Sequence, residues 1–275
     1  MVKLKRKSKT MEIEKALGRK EWANLLDVSI GNCSVLITGA SGSIGKRLAE
    51  RLLNCDVTLT DIIDCDNYLD VTDVDSIAKY MDNKYDYIIN LAGAKHAPKG
   101  EEDSMETLSI NTVGTDNLIK AFPSSKIVLT STCKSCNPET VYGASKLIAE
   151  RITLNSGNSV ARFYNVVQSS GNVFEIWEGQ KDKKVAEDCN RYFVSLDEAV
   201  GLIIYTMIVP IGRYSVNPLE HRNMEDIYKA IYSEPYIKMP PRRGDRVTEL
   251  KHSTSEWIEN EHFDGSIIKV VSAHD

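Results

Sequence analysis

The stretch SVLITGASGSIGKRLAERLLNCDVTLTD, residues 34–61, decides the fold of this chain. It opens on a short apolar run, Ser34 to Thr38, and passes straight into Gly39-Ala-Ser-Gly42-Ser-Ile-Gly45. Beyond the glycines, Ile44, Leu48, Leu52 and Leu53 share one side of a helical pattern, so a helix follows the turn. VTLT (57–60) is then a second strand, ending at Asp61. Glycines permit the turn and let a pyrophosphate approach the amides at a helix N-terminus. A glycine turn alone is a weak signal. With a strand before it, a helix after it and an acid at the tip of the second strand, it predicts a dinucleotide site. Gly39, Ser41, Gly42, Ser43, Ile44 and Gly45 would form its floor. A carboxylate at Asp61 accepts both ribose hydroxyls of an adenosine and repels a 2′-phosphate, which favours NAD over NADP.

Strands and helices keep alternating to about residue 165. YLDV (68–71) reads as a third strand, VDSIAKYM (74–81) as helical, and YIINLAG (87–93) as an apolar strand with a glycine stop. A helix over 105–121, the strand KIVLTS (126–131), a helix over 142–155 and the strand SVARF (159–163) complete the series. Strands this apolar imply a parallel sheet covered on both faces. Asp70 and Val71 are placed to border the adenine, and Leu91, Ala92 and Gly93 to line the cofactor beside them. After 165 come a polar region, a buried helix near 197–209, a strand GRYSVN (212–217), a helix over 223–233 and the loop KMPPRRGDR (238–246). The expected architecture is α/β: a Rossmann-type doubly wound parallel sheet at 31–165 after an N-terminal arm at 1–30. A smaller substrate-binding cap at 166–275, interleaved or not with the sheet, would leave the ligand between them at the carboxyl ends of the strands.

With 42% hydrophobic and 27% charged residues, the 275-residue chain has an ordinary soluble composition. A net charge of −5 argues against nucleic acid as partner. The basic start, MVKLKRKSK, reads as a solvated tail, and no apolar segment follows it as in a signal peptide. The most apolar run, Ala199 to Ile211, is too short to span a bilayer, so a cytoplasmic protein without a membrane partner is expected. Its six cysteines should be reduced. Cys133-x-x-Cys136 has no second pair to complete a metal site, and no metal is expected.

The chemistry concentrates in TSTCKSCNPETVYGASK, residues 130–146. Tyr142 and Lys146 stand one helical turn apart on a common face. A nearby ammonium and a nicotinamide cation stabilise a phenolate, so Tyr142 can take the proton of a hydroxyl while hydride leaves for the dinucleotide. Thr132 can hydrogen-bond the same oxygen.

Together these residues make the chain similar to the extended short-chain dehydrogenases/reductases that act on nucleotide sugars. It most resembles the inverting UDP-N-acetylglucosamine 4,6-dehydratases of polysaccharide synthesis. The resemblance runs over roughly 15–260 and rests on ITGASGSIG (37–45), NLAGAKHAP (90–98), INTVGTDNL (110–118), the Lys-x-x-Asn-Pro spacing from Lys134, RFYNVVQSSGNV (162–173), RYFVSLDEAV (191–200) and PRRGD (241–245). It implies a UDP-sugar substrate and an oxidation site of Thr132, Tyr142 and Lys146, with Asn111 supporting the proton relay. It implies Lys134 as the base at C5, and Asn165, Arg191 and Arg242 as substrate-binding residues, with Asn165 and Arg242 holding the diphosphate. Lys95 and His96 would face the sugar. A homodimer or larger assembly, paired through helices 105–121 and 142–155, is implied as well.

Cys133 departs from that pattern. The subfamily carries Asp there, implied to protonate the departing C6 hydroxyl, and losing a general acid costs about 10²- to 10⁴-fold. Three outcomes stay open: elimination with the thiol, Lys134 or a water as donor; a 4-epimerase or keto-sugar reductase that stops at 4-oxidation; or a protein that binds without turnover.

Overall fold

Because the strands are apolar on both sides, each needs cover above and below, and the fold supplies it. The computed structural model describes residues 12–17, 30–217, 220–241, 246–262 and 265–275. Its main sheet holds β1 (Ser34–Thr38), β2 (Asp56–Thr60), β3 (Tyr87–Asn90), β4 (Lys126–Thr132), β5 (Ser159–Phe163), β6 (Arg213–Val216), β7 (Glu256–His262) and β8 (Ile267–Ser272). Their order is β7-β8-β6-β5-β4-β3-β1-β2. From β2 to β6 the pairing is parallel, while β8 joins β6 and β7 antiparallel.

Successive residues of a strand point to opposite faces. Val35, Ile37, Ile89 and Val128 accordingly meet one apolar cluster, and Leu36, Ile88 and Ile127 another. The helices are α1 (residues 12–16), α2 (Ser43–Arg51), α3 (Val74–Ala78), α4 (Ala97–Glu102), α5 (Ser104–Leu108), α6 (Gly114–Ala121), α7 (Val141–Asn155), α8 (Val173–Gly179), α9 (Leu196–Ile208) and α10 (Met224–Ile231). Helices α2 and α9 share the first cluster through Leu48, Ala199, Leu202 and Ile203, whereas α3 and α6 bring Ile77 and Leu118 to the second. This is the doubly wound α/β sheet.

Several elements differ from the sequence reading. YLDV is no strand: Tyr68 makes an isolated bridge to Asp61, and Leu69 and Val71 are buried beside Leu36 and Ile88. Its apolar side chains fill the core from a loop instead of pairing along an edge. The helix expected over 105–121 is α5 and α6 joined by a π-helical turn, Ser109–Val113, which turns Asn111 and Thr112 inward. In the polar region, α8 buries Phe174 and Trp177 against Phe193 and Tyr228, with Asn172 as its N-cap. Two aromatic residues among charges carry too little periodicity to announce a helix. Ile13 and Leu17 enter that same cluster. The basic stretch MVKLKRKSK lies outside the described residues. Past residue 165 the chain also builds the sheet, since β6, β7 and β8 extend it beyond β5.

Candidate active site

The dinucleotide turn forms where β1 meets α2. Gly39 has φ +68, and a Cβ there would sit 2.7 Å from the Ala92 nitrogen, so glycine alone fits this approach to the end of β3. Gly42 is the N-cap of α2 and offers no side chain to its first amides, which suits a phosphate. Asp61 Oδ2 accepts from the Ser41 backbone N at 3.0 Å and from its Oγ at 2.5 Å, holding the carboxylate over the turn. Ser43 Oγ accepts from the Ser170 backbone at 2.9 Å. Asp70 Oδ1 accepts from the Thr72 backbone and hydroxyl at 2.8 and 2.7 Å. The Val71 side chain is buried in the core, and its carbonyl accepts from Asn117 Nδ2 at 3.0 Å.

Beyond β3, a Cβ on Gly93 would lie 3.1 Å from Asn111 Oδ1 and 3.2 Å from Lys146 Nζ, so the end of Leu91-Ala92-Gly93 lies against both side chains. Asn111 is fully buried in the π-helical turn. Its Nδ2 donates to Ala94 O at 3.1 Å and Ser145 Oγ at 2.9 Å, while its Oδ1 accepts from Ala94 N at 2.9 Å. It ties the loop after β3 to α7.

At the end of β4, Thr132 leads into a tight turn, Cys133–Ser135. Helix α7 starts at the Thr140 cap, whose hydroxyl accepts from Gly143 N at 3.0 Å. A Cβ on Gly143 would run into the Lys134 carbonyl, so this glycine lets α7 lie directly on the turn. Lys146 Nζ donates to Thr130 O at 3.1 Å, and burial lowers the lysine to about 8. Burial raises the Tyr142 phenol, opposed by the charge of Lys134 and a hydrogen bond with Thr132. In the protein alone, desolvation outweighs the nearby cation, and that cation is Lys134.

Lys134, Asn165 and Arg191 converge on a residue that sequence reasoning missed, Glu249. Its carboxylate lies 3.4 Å from Lys134 Nζ and 3.6 Å from Arg191 Nε. Its Oε2 accepts from Asn165 Nδ2 at 2.8 Å and Tyr192 N at 3.1 Å. The clue available in sequence was its nearness to PRRGD, since a loop expected to carry phosphate-binding arginines runs toward the substrate. Cys133, Lys134, Arg191 and Glu249 share a cavity of about 20 Å³, room for about one water. The Cys133 thiol is driven well above its ordinary range by burial and the Glu249 charge, so it keeps its proton. Cys136 serves the interior, its Sγ accepting from Arg162 Nη1 at 3.2 Å. Lys95 and His96 are exposed; Lys95 Nζ donates to Ser170 O at 2.9 Å. Arg242 lies outside the described residues.

Beneath these groups, one turn of α7 beyond Lys146, Glu150 is fully buried. Ser131 and Ser135 donate to it at 2.5 and 2.7 Å, and Arg162 and Arg213 pair with it at 2.5 and 2.8 Å. Against the upward push of burial, the two guanidinium groups hold the carboxyl at about 2. Both arginines also reach Glu256, and Arg213 pairs with Asp275.

Residues 68–213 match the family model described as polysaccharide biosynthesis protein. The chain belongs to that family. One relative, an uncharacterized membrane protein of Methanocaldococcus jannaschii, is 30% identical over 79% of this chain and 75% of its own. The inverting UDP-N-acetylglucosamine 4,6-dehydratase of Campylobacter jejuni (strain 81-176) is 29% identical over 62% of each chain. A UDP-glucose 4-epimerase of Rickettsia felis is 28% identical, again over 62% of each. This member of the family therefore spans less than two thirds of the length of those two enzymes. Among solved structures, dTDP-4-dehydrorhamnose reductase of Bacillus anthracis in complex with NADP gives a TM-score of 0.69 at 18% identity, covering 81% of this chain and 90% of that one. UDP-glucose 4-epimerase of Thermus thermophilus, in complex with NAD, gives 0.68 at 18% identity, covering 79% and 89%. These likenesses establish the Rossmann-type α/β fold. Among the described residues no helix is long and apolar enough to cross a membrane.

Proposed function

We propose that this chain is an NAD-dependent nucleotide-sugar 4,6-dehydratase acting on a UDP-N-acetylhexosamine. The observation that carries the reading is the meeting of Thr132, Tyr142 and Lys134 at the end of β4, beside a turn whose Asp61 carboxylate suits an unphosphorylated ribose. The glycine turn and the uncapped start of α2 fit a dinucleotide diphosphate. When bound, the dinucleotide accepts hydride from C4 of the sugar and later returns it at C6. Tyr142 takes the O4 proton, with Thr132 hydrogen-bonded to its phenol. Lys146 and Asn111 hold the cofactor side of the pocket. Lys134 works at C5, and Asn165, Arg191 and Arg242 receive the substrate. The relationship to the Campylobacter dehydratase supports the reaction class.

A second reading, a UDP-sugar 4-epimerase, is favoured by the thiol at 133 and by the relationship to the Rickettsia epimerase. Mass spectrometry of UDP-N-acetylglucosamine incubated with the protein and NAD separates the two. A product lighter by one water is expected. An unchanged mass with appearance of the 4-epimer, resolved by chromatography, moves the assignment to the epimerase.

The same reading pairs the chain with a second copy through α5 to α7. Met105, Val113 and Ile148 are exposed there and would form the seam.

A further inference from the structure

We propose that Glu249 is the positioning residue that lets Lys134 carry out both proton transfers of the elimination, in place of an acid at position 133. This inference rests on the dehydratase reading. Cys133 is 3% exposed and its thiol keeps its proton, so it is a poor donor to a departing hydroxyl. Yet a carboxylate does reach that place, brought from the far end of the chain. Glu249 is near enough to Cys133 to perturb it and lies 3.4 Å from the Lys134 ammonium nitrogen.

The carboxylate is firmly set. Asn165 and Tyr192 donate to Oε2 at 2.8 and 3.1 Å, and the Glu249 carbonyl lies 2.8 Å from His221 Nε2. Its backbone nitrogen donates to Asn190 O at 3.3 Å. Glu249 is 5% exposed at the side chain and Lys134 is 26% exposed, so the lysine is the member of the pair open to a ligand. A fixed negative charge at this distance stabilises an ammonium. Arg191, 3.6 Å from Oε1, shares that charge and tempers its pull on the lysine.

In the 4-keto sugar, the C5 proton is acidified by the neighbouring carbonyl. Lys134 first releases its resting proton to solvent on its open side; as an amine it takes the C5 proton, and the C–H electron pair becomes the C5–C6 π bond as the C6–O bond breaks. The new ammonium, stabilised by Glu249, hands the same proton to the leaving oxygen, which departs as water. No second acid is required, and the lysine is an amine again.

The test follows UDP-N-acetylglucosamine and NAD in D₂O with wild type, Glu249→Gln, Glu249→Asp and Cys133→Ala, checking each fold by thermal melting. Cofactor reduction in a single turnover reports 4-oxidation; deuterium at C5 and loss of water report the elimination. For Glu249→Gln at saturating substrate, the fall in C5 exchange and water loss is expected to exceed any fall in cofactor reduction by about 10²-fold. Glu249→Asp should recover part of the loss, and Cys133→Ala should lose water within about threefold of wild type. Equal losses in oxidation and elimination, or undiminished elimination in Glu249→Gln, overturn the inference. Should Glu249→Gln not fold, undiminished elimination in Glu249→Asp does so instead. A wild type that releases no water removes the dehydratase reading and this inference with it.

Discussion

At Tyr142 two effects of the protein interior oppose each other. Burial raises the phenol, while Lys134 and Thr132 favour its ionised form. Burial holds the group neutral, so in the proposed role it must first give up its own proton, which the charge of Lys134 and the hydrogen bond with Thr132 favour. Tyr142→Phe should slow cofactor reduction by about 10²- to 10⁴-fold while leaving dinucleotide affinity within about threefold, as stopped-flow absorbance and calorimetry can show. Lys146, lowered to about 8, is bonded to Thr130 O and lies against Gly93. Spacing alone made Tyr142 and Lys146 visible in the sequence, because four residues along a helix is a geometric statement. Glu249 had no such spacing. Its proximity to Lys134 exists only after the chain has folded back over more than a hundred residues, |i−j| being 115.

Among the elements, the contact between α7 and the turn before it limits what the site tolerates. Gly143 is buried against the Lys134 carbonyl, which leaves no space for a methyl group. Gly143→Ala should displace the helix start, costing about 1–3 kcal/mol in urea unfolding. Turnover should fall by more than that loss of stability accounts for, because Tyr142 is its neighbour. Strands β1 to β6, the glycine turn and α7 were legible because periodicity and glycine placement are local, whereas β7 and β8 went unread and YLDV was misread as a strand. Helix α8 was not legible either, since its burial depends on Phe193 and Tyr228 arriving from elsewhere. The π-helical turn at Ser109–Val113 was hidden for another reason: the pattern of a continuous helix survives one widened turn, and only the inward rotation of Asn111 betrays it. Where α5 to α7 leave Ile148 and Val113 exposed, the proposed pairing makes its own demand. Ile148→Glu should convert a dimer to a monomer in analytical ultracentrifugation, with the fold retained.

For the whole molecule, the buried cluster of Glu150, Arg162, Arg213, Glu256 and Asp275 sets the response to acid. Glu150 is lowered from 4.5 to about 2, so its contribution to stability is present in full above 4.5 and is lost as the pH falls from there toward 2. Glu150→Gln removes one acid from a pair of buried arginines and should cost about 3–5 kcal/mol. Its stability should also change less than the wild type's between pH 4.5 and 2, measured by denaturant titration.

The arrangement of the sheet bears on how the protein is made. Residues 34–163 supply the central parallel strands, yet β5 stays an open edge until β6 pairs with it, and β6 in turn waits for β8. Glu150 lies 12 residues before Arg162, but Glu256 lies 94 residues after it. While the ribosome is still translating, the emerging chain carries an unpaired strand edge and a guanidinium short of one acidic partner. The edge of β5 is thus closed by segments that lie far along the chain from the strands they complete.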